Sequence, residues 1–231
     1  MVLQVCLNGD REAGVPRTPA ELADAGRACV AAGAVSIHAH PRDGDGHETL
    51  DPAAVAATVR ALRPLGTELS LSTGLWITAG DVDARLRAVS AWTELPDVVS
   101  LNLSEDGFDE LAALLAERGI GIESGVWTAA GAERLLARGV RARRILVEPR
   151  SRGPQDAVAL ARDIDAVLDA AGDATPRLHH GVGPATWAVL DAAVPLGREI
   201  RIGLEDVLTL PDGRRAPDNA ALVAEAARRY R

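Results

Sequence analysis

The chain has 231 residues, 47% apolar, 3% aromatic and 25% charged, with a formal net charge of -8. That length suits one α/β barrel or two small domains, and the acidic balance argues against a nucleic-acid partner, which calls for a basic patch. All 25 basic residues are arginines, which excludes Schiff-base aldolases and pyridoxal-phosphate enzymes, since both need a lysine amine.

The first apolar run, VLQVCLN (2–8), reads as a strand. TPAELADAGRACVAAG follows with Thr18 as helix N-cap, Pro19 in the first turn, Glu21 three residues past the cap, and Gly33 at the end. A second strand, AVSIHAH (34–40), leads to DPAAVAATVRALRPLG, where Asp51, Pro52 and Gly66 repeat the same helix grammar. Further strands are predicted at ELSLST (68–73), DVVSLNL (97–103), GIGIESGV (119–126), RRILVEP (143–149), RLHHGVG (177–183) and EIRIGLED (199–206). Helical patterns at 80–91, 107–118, 128–138, 153–171, 184–195 and 217–229 alternate with them.

The runs are rich in Val, Ile and Leu, as expected of strands buried on both faces. Eight strand-then-helix units without a linker predict an α/β fold, a compact (β/α)8 TIM barrel forming a single domain over 1–231. A doubly wound sheet would carry a glycine-rich first turn, which CLNGDREAG does not supply. Cys6 and Cys29 read as buried small residues rather than a disulfide framework. The start, MVLQVCLNGDRE, lacks a basic stretch and a cleavage site, and no long apolar run follows, so a cytoplasmic chain with no membrane partner is expected.

Barrel chemistry sits at the carboxyl ends of the strands. The predicted strands end in polar groups there: Asn8 to Arg11, His38 and His40, Ser70 and Ser72, Ser100 and Asn102, Glu123, Glu148, His180, and Arg201 to Asp206. Their opposite ends look plainer. His38 and His40 are two of only five histidines, and strand alternation puts both on one face, where they can chelate a single ion. The alternative is a pair of rim histidines hydrogen-bonded to carbonyls.

Glu205 is the candidate third ligand, because the eighth strand of a closed barrel neighbours the first. Two histidines, a carboxylate and an open position suit a catalytic zinc, with Asp206 left for proton transfer. The competing reading of LED is an acidic pair at a helix start. Arg201, four residues before Glu205, needs a carboxylate partner, and Ser72, Ser100 and Asn102 offer neutral donors to a substrate oxygen. His180 is either another polar contact or a bystander beside Gly181 and Gly183. Arg42 and DGDG are expected to turn toward the next helix, with His47 at the surface.

Taken together, LNG near the start, HAHPRDGDGHETLD, SLN, RIGLEDV and the tail PDGRRAPDNAALVAEAARR resemble the beta-keto acid cleavage enzymes from Leu7 to the last helix. The resemblance implies a zinc-dependent (β/α)8 barrel that condenses a beta-keto acid with acetyl-CoA, giving acetoacetate and a new acyl-CoA. It places the zinc ligands on His38, His40 and Glu205, the catalytic pair on Arg201 and Asp206, and the substrate-contacting hydroxyls on Ser72 and Ser100. The family's acidic residue after the first strand has Arg11 as its nearest counterpart by spacing, beside Asp10 and Glu12, and Arg11 is expected to bind substrate. A homo-oligomer, a tetramer, is implied as well. Because members are usually longer, the loops around the substrate and CoA are expected to be trimmed. Two other readings stay open: a CoA-independent metal-dependent carbon-carbon lyase or hydrolase, and a non-catalytic barrel that binds a carboxylate. The sequence assigns no role to Glu123, Glu148 or His180.

Overall fold

Each of the eight apolar runs forms a strand: β1 (Leu3–Cys6), β2 (Ser36–Ala39), β3 (Glu68–Ser72), β4 (Val98–Asn102), β5 (Gly121–Val126), β6 (Arg144–Val147), β7 (Arg177–His179) and β8 (Glu199–Ile202). In this computed structural model, which describes residues 2–151 and 153–230, all eight are parallel and pair in chain order. The pairing of β1 with β8 closes the barrel. Around it lie α1 (Pro19–Ala32), α2 (Pro52–Leu62), α3 (Val82–Ser90), α4 (Phe108–Glu117), α5 (Ala129–Arg138), α6 (Pro154–Ala170), α7 (Thr186–Ala193) and α8 (Asn219–Arg229).

The helix starts follow from side-chain chemistry. Thr18 and Glu21 make a reciprocal capping box, the Thr18 hydroxyl accepting from Glu21 N and the Glu21 carboxylate from Thr18 N. Asp51, Asp81, Thr128 and Asp218 accept backbone N–H groups at the starts of α2, α3, α5 and α8. These bonds satisfy donors that have no partner inside the helix.

Leu3, Val5, Ile37, Leu69, Val99, Ile122, Ile145, Ile200 and Ile202 pack with Leu22, Val55, Leu111, Ile164 and Leu222 between sheet and helices. Each such side chain contributes roughly 1.5–3 kcal/mol on burial. The alternate strand positions face inward and differ from the expectation of strands apolar on both faces. Gln4, Ser36, Ser70, Glu123, Arg144 and Arg201 are all buried there. The amino-terminal half of the barrel is correspondingly polar rather than plain: Arg144 pairs with Glu68, with Glu123 at 3.1 Å and with Glu199 at 3.2 Å. Ladder register explains the clustering, since Glu123 sits opposite Arg144 and Ser36 opposite Glu68.

The eighth strand is shorter than the run 199–206 suggests. It stops at Ile202 because the chain passes against β1, where a Cβ on Gly203 would lie 1.9 Å from the Cys6 carbonyl oxygen. A turn follows, with Asp206 N and Val207 N both donating to Gly203 O at 2.9 Å. Glu205 and Asp206 therefore ride on a turn rather than on the strand itself. Among the described residues no helix is long and apolar enough to cross a membrane.

Candidate active site

β2 carries His38 inward, and His40 continues the alternation one residue beyond the strand. Asn8 fixes that extension at two points: its Oδ1 accepts from His40 N, and its Nδ2 donates to His40 O, both at 2.9 Å. The two imidazole Nε2 atoms converge to 3.1 Å, and Glu205 Oε2 lies 3.5 Å from His40 Nε2.

Both tautomers follow from the partners of Nδ1. Ser70 Oγ donates its single proton to Glu123 Oε2 at 2.6 Å, so at its 2.9 Å contact with His38 Nδ1 it must accept. Glu48 Oε1 accepts from His40 Nδ1. The proton on each ring is thus held at Nδ1, and both Nε2 lone pairs face Glu205. Burial, with the Arg201 cation second, pushes the His38 imidazole well below its ordinary 6.5, which keeps it neutral as a metal ligand must be.

These residues fit a zinc ion. Two ligands held at about 2.0–2.1 Å from one tetrahedral ion stand about 3.3 Å apart, close to the separations seen here. Glu205 Oε2 is buried and has no hydrogen-bond partner among the described residues, a vacancy in its bonding that a cation would satisfy. Asp43, Asp45 and His47 also cluster, but on the exposed turn after His40, where Asp43 Oδ1 already accepts from Asp45 N and His47 N.

Asp206 stands beside this triad. Its Oδ1 accepts from Arg201 Nη2 at 2.9 Å and lies 3.3 Å from His180 Nδ1, while Oδ2 accepts from the Cys6 thiol at 3.0 Å. Arg201 Nη2 also donates to Glu205 Oε1 at 2.8 Å, so one guanidinium spans both acids. Burial would raise the Asp206 carboxyl, but Arg201 and His180 outweigh it and hold the group ionised, well below the usual carboxylate range. For Glu205, burial is likewise outweighed, by Arg201, His40 and His38, and its carboxyl falls from 4.5 to about 2. Cys6 goes the other way: burial pushes its thiol well up, so it remains a donor.

A cavity of about 280 Å³ opens over these groups at the carboxyl ends of the strands. Eight of the nine residues predicted from sequence line it: His38, His40, Ser72, Ser100, Asn102, Arg201, Glu205 and Asp206. Arg11 does not. Its Nε donates to Leu204 O and its Nη2 to Glu205 O at 3.3 Å, so it braces the turn that carries the two acids, and Asp10 from the same loop lines the cavity instead. Asn102 donates one of its two amide N–H groups to Glu105 Oε1 at 2.7 Å. At the mouth, Glu148 accepts from Trp127 Nε1 at 2.9 Å and pairs with Arg150 at 3.2 Å.

Sequence reasoning missed Glu48 and the contact of Cys6 with Asp206, and it named Ser70, Glu123 and His180 as polar strand-end residues without a role. Ser70 had a readable signal: it is the inward residue of β3 in register with His38. Glu48 had none, since it reaches His40 only after the chain reverses through a hairpin.

No curated protein matches the chain. Among solved structures, ObcA in its binary complex with oxaloacetate superposes with a TM-score of 0.75 at 19% identity, over 93% of this chain and 63% of its own. Its ternary complex with a C4-CoA adduct and oxalate gives 0.74, with 19% identity and the same 93% and 63% coverage. The N-acetylmannosamine-6-phosphate 2-epimerase of Clostridium perfringens is similar at a TM-score of 0.59 and 9% identity, over 89% of this chain and 87% of its own. At such identities the likeness shows the fold alone, and this chain spans only 63% of the ObcA length. The family profile described as BKACE, beta-keto acid cleavage enzyme, matches residues 1–231. With that match running the whole length of a closed (β/α)8 barrel, the chain belongs to the beta-keto acid cleavage enzyme family.

Proposed function

We propose that this protein is a zinc-dependent enzyme that condenses a beta-keto acid with acetyl-CoA, giving acetoacetate and a new acyl-CoA. The observation that carries the reading is the convergence of two imidazole Nε2 atoms and a carboxylate oxygen beside an ionised, donor-ringed Asp206 in one cavity. Family membership supports the reaction class, and the ObcA complexes with oxaloacetate and with a C4-CoA adduct support a keto acid and a CoA thioester as the reactants.

Zinc held by His38, His40 and Glu205 would supply Lewis acidity at the oxygens of the keto acid and make the methylene between its two carbonyl carbons more acidic. Asp206 takes a proton from that methylene carbon, and Arg201 and the Cys6 thiol hold the carboxylate in place for the transfer. The resulting carbanion attacks the thioester carbonyl of acetyl-CoA, forming a carbon-carbon bond and releasing the CoA thiolate. The thiolate then adds to the original keto carbonyl, and cleavage of its bond to the former methylene carbon liberates the new acyl-CoA. Asp206 returns its proton to that carbon, completing acetoacetate. Ser72 and Ser100, on the cavity wall, have hydroxyls suited to fixing the substrate oxygens.

Metal analysis of the purified protein, combined with a panel of beta-keto acids assayed with and without acetyl-CoA, tests the reading. Bound zinc and acetoacetate formed only when acetyl-CoA is present are the expected result. Full metal occupancy with no turnover across the panel overturns it, and turnover that ignores acetyl-CoA replaces it with a CoA-independent lyase or hydrolase.

A further inference from the structure

The segment between His40 and α2 folds back on itself. Asp43 N donates to His47 O at 2.9 Å, Thr49 N to Pro41 O at 3.0 Å, and Arg42 and Glu48 form an antiparallel bridge. Buried Arg42 clamps this hairpin, donating to Gly46 O at 2.7 Å, to Gly9 O at 2.6 Å and to Arg11 O at 2.7 Å. The DGDG turn therefore returns Glu48 onto the metal-facing histidine. One carboxylate oxygen accepts from His40 Nδ1, and the other accepts from Trp76 Nε1 at 2.9 Å.

Trp76 is an unusual residue to be tied there. It is 48% exposed, one of the few large apolar side chains so placed, and its ring centroid lies 6.4 Å from that of His40. It lines the metal-facing cavity and also an adjoining hollow of about 600 Å³. It thus forms the wall between them. The chain makes room for it at Gly74, where a Cβ would come within 2.1 Å of the indole.

Resting on the zinc reading above, we infer that Glu48 is a shared positioning residue, which presents His40 Nε2 to the metal and fixes Trp76 across the cavity mouth, so that metal loading and mouth geometry respond together. The chemistry requires a carboxylate. Glutamate can accept a hydrogen bond on each oxygen, whereas a glutamine amide has one acceptor oxygen and would turn an N–H toward either the His40 or the Trp76 donor.

Zinc affinity, measured by competition with a chromophoric chelator, and indole emission test the inference on the full chain. Glu48→Ala and Glu48→Gln are expected to weaken zinc binding by about 10- to 100-fold, the usual effect of losing an outer partner of a ligating histidine. Trp76→Phe keeps an aromatic ring, removes the indole N–H and leaves the Glu48–His40 contact in place, so its zinc affinity should stay nearer the wild-type value than either Glu48 variant. Subtracting the Trp76→Phe spectrum isolates the Trp76 emission, which should change on zinc addition in the wild type and not in Glu48→Gln. Gly74→Ala, which forces the indole aside without touching His40, should abolish that response while zinc still binds. Wild-type zinc affinity in both Glu48 variants, or a Trp76 emission blind to zinc in the wild type, overturns the inference. A wild-type chain that binds zinc with this response but turns over no keto acid overturns only the catalytic reading.

Discussion

Asp206 is a buried carboxylate kept ionised because Arg201 and His180 approach it, with the Cys6 thiol donating to its other oxygen; the proposed function makes it the base. Removing the charge while keeping the shape should separate base from scaffold. Asp206→Asn is expected to lower kcat by about 100- to 10,000-fold, the range for loss of a general base, while zinc content stays at the wild-type level. Unchanged turnover at full zinc occupancy would count against Asp206 as the base. At this scale the sequence was informative about identities, since His38, His40, Glu205, Asp206 and Arg201 all line one cavity. It was silent about their supports. Cys6 looked like a buried small residue, and only the closing of β8 against β1 brings its thiol to Asp206.

At the scale of elements, the loops after β1 and β8 shape the site more than the strands do. Gly9, at a φ of 61°, lets the β1 loop pass so close to the β8 turn that a Cβ there would lie 2.4 Å from Glu205 Cγ. Both the left-handed backbone and the missing side chain are needed. Gly9→Ala should therefore push Glu205 off the two histidines and weaken zinc binding relative to the wild type, with isothermal titration as the measurement. Equal affinity in the two proteins would mean that the turn has slack the geometry does not suggest. The helices were legible because their caps are local: Thr18 with Glu21 and Asp51 with its two backbone donors need nothing distant. The end of β8 was not, because Gly203 stops the strand through contact with a residue nearly the whole chain away.

For the whole molecule, the buried charge network inside the barrel sets a stability cost that the site must coexist with. Arg144, 4% exposed at its side chain, is the cation that Glu68, Glu123 and Glu199 share, and burial already holds the Glu199 carboxyl above its ordinary 4.5. Arg144→Met removes that cation and leaves three acids facing one another. A loss of about 3–5 kcal/mol is expected in urea denaturation at neutral pH, as for one partner taken from a buried ion pair. The pH dependence has a definite sign. Arg144 is the main group opposing the rise of the Glu199 carboxyl, so without it that folded-state value climbs further above the unfolded one, and the variant keeps its stability below the ordinary carboxylate range and loses it as pH rises through the raised value. A variant as stable as the wild type at neutral pH would show that the network is carried by other groups.

What the sequence determined by itself was whatever depends on short range: eight apolar runs alternating with capped helices, hence a closed parallel barrel, and a pair of same-face histidines set two apart. Period and capping act over a few residues, so they can be read without knowing what lies across the molecule. Only the tertiary structure decided that the inner strand faces carry buried polar groups in both halves of the barrel, that Arg11 braces a turn rather than lining the cavity, and that Glu48 reaches both His40 and Trp76. Each of these depends on barrel closure or on a loop reversing direction. Closure places residues from opposite ends of the chain within hydrogen-bond range, and no local pattern records which of them will meet.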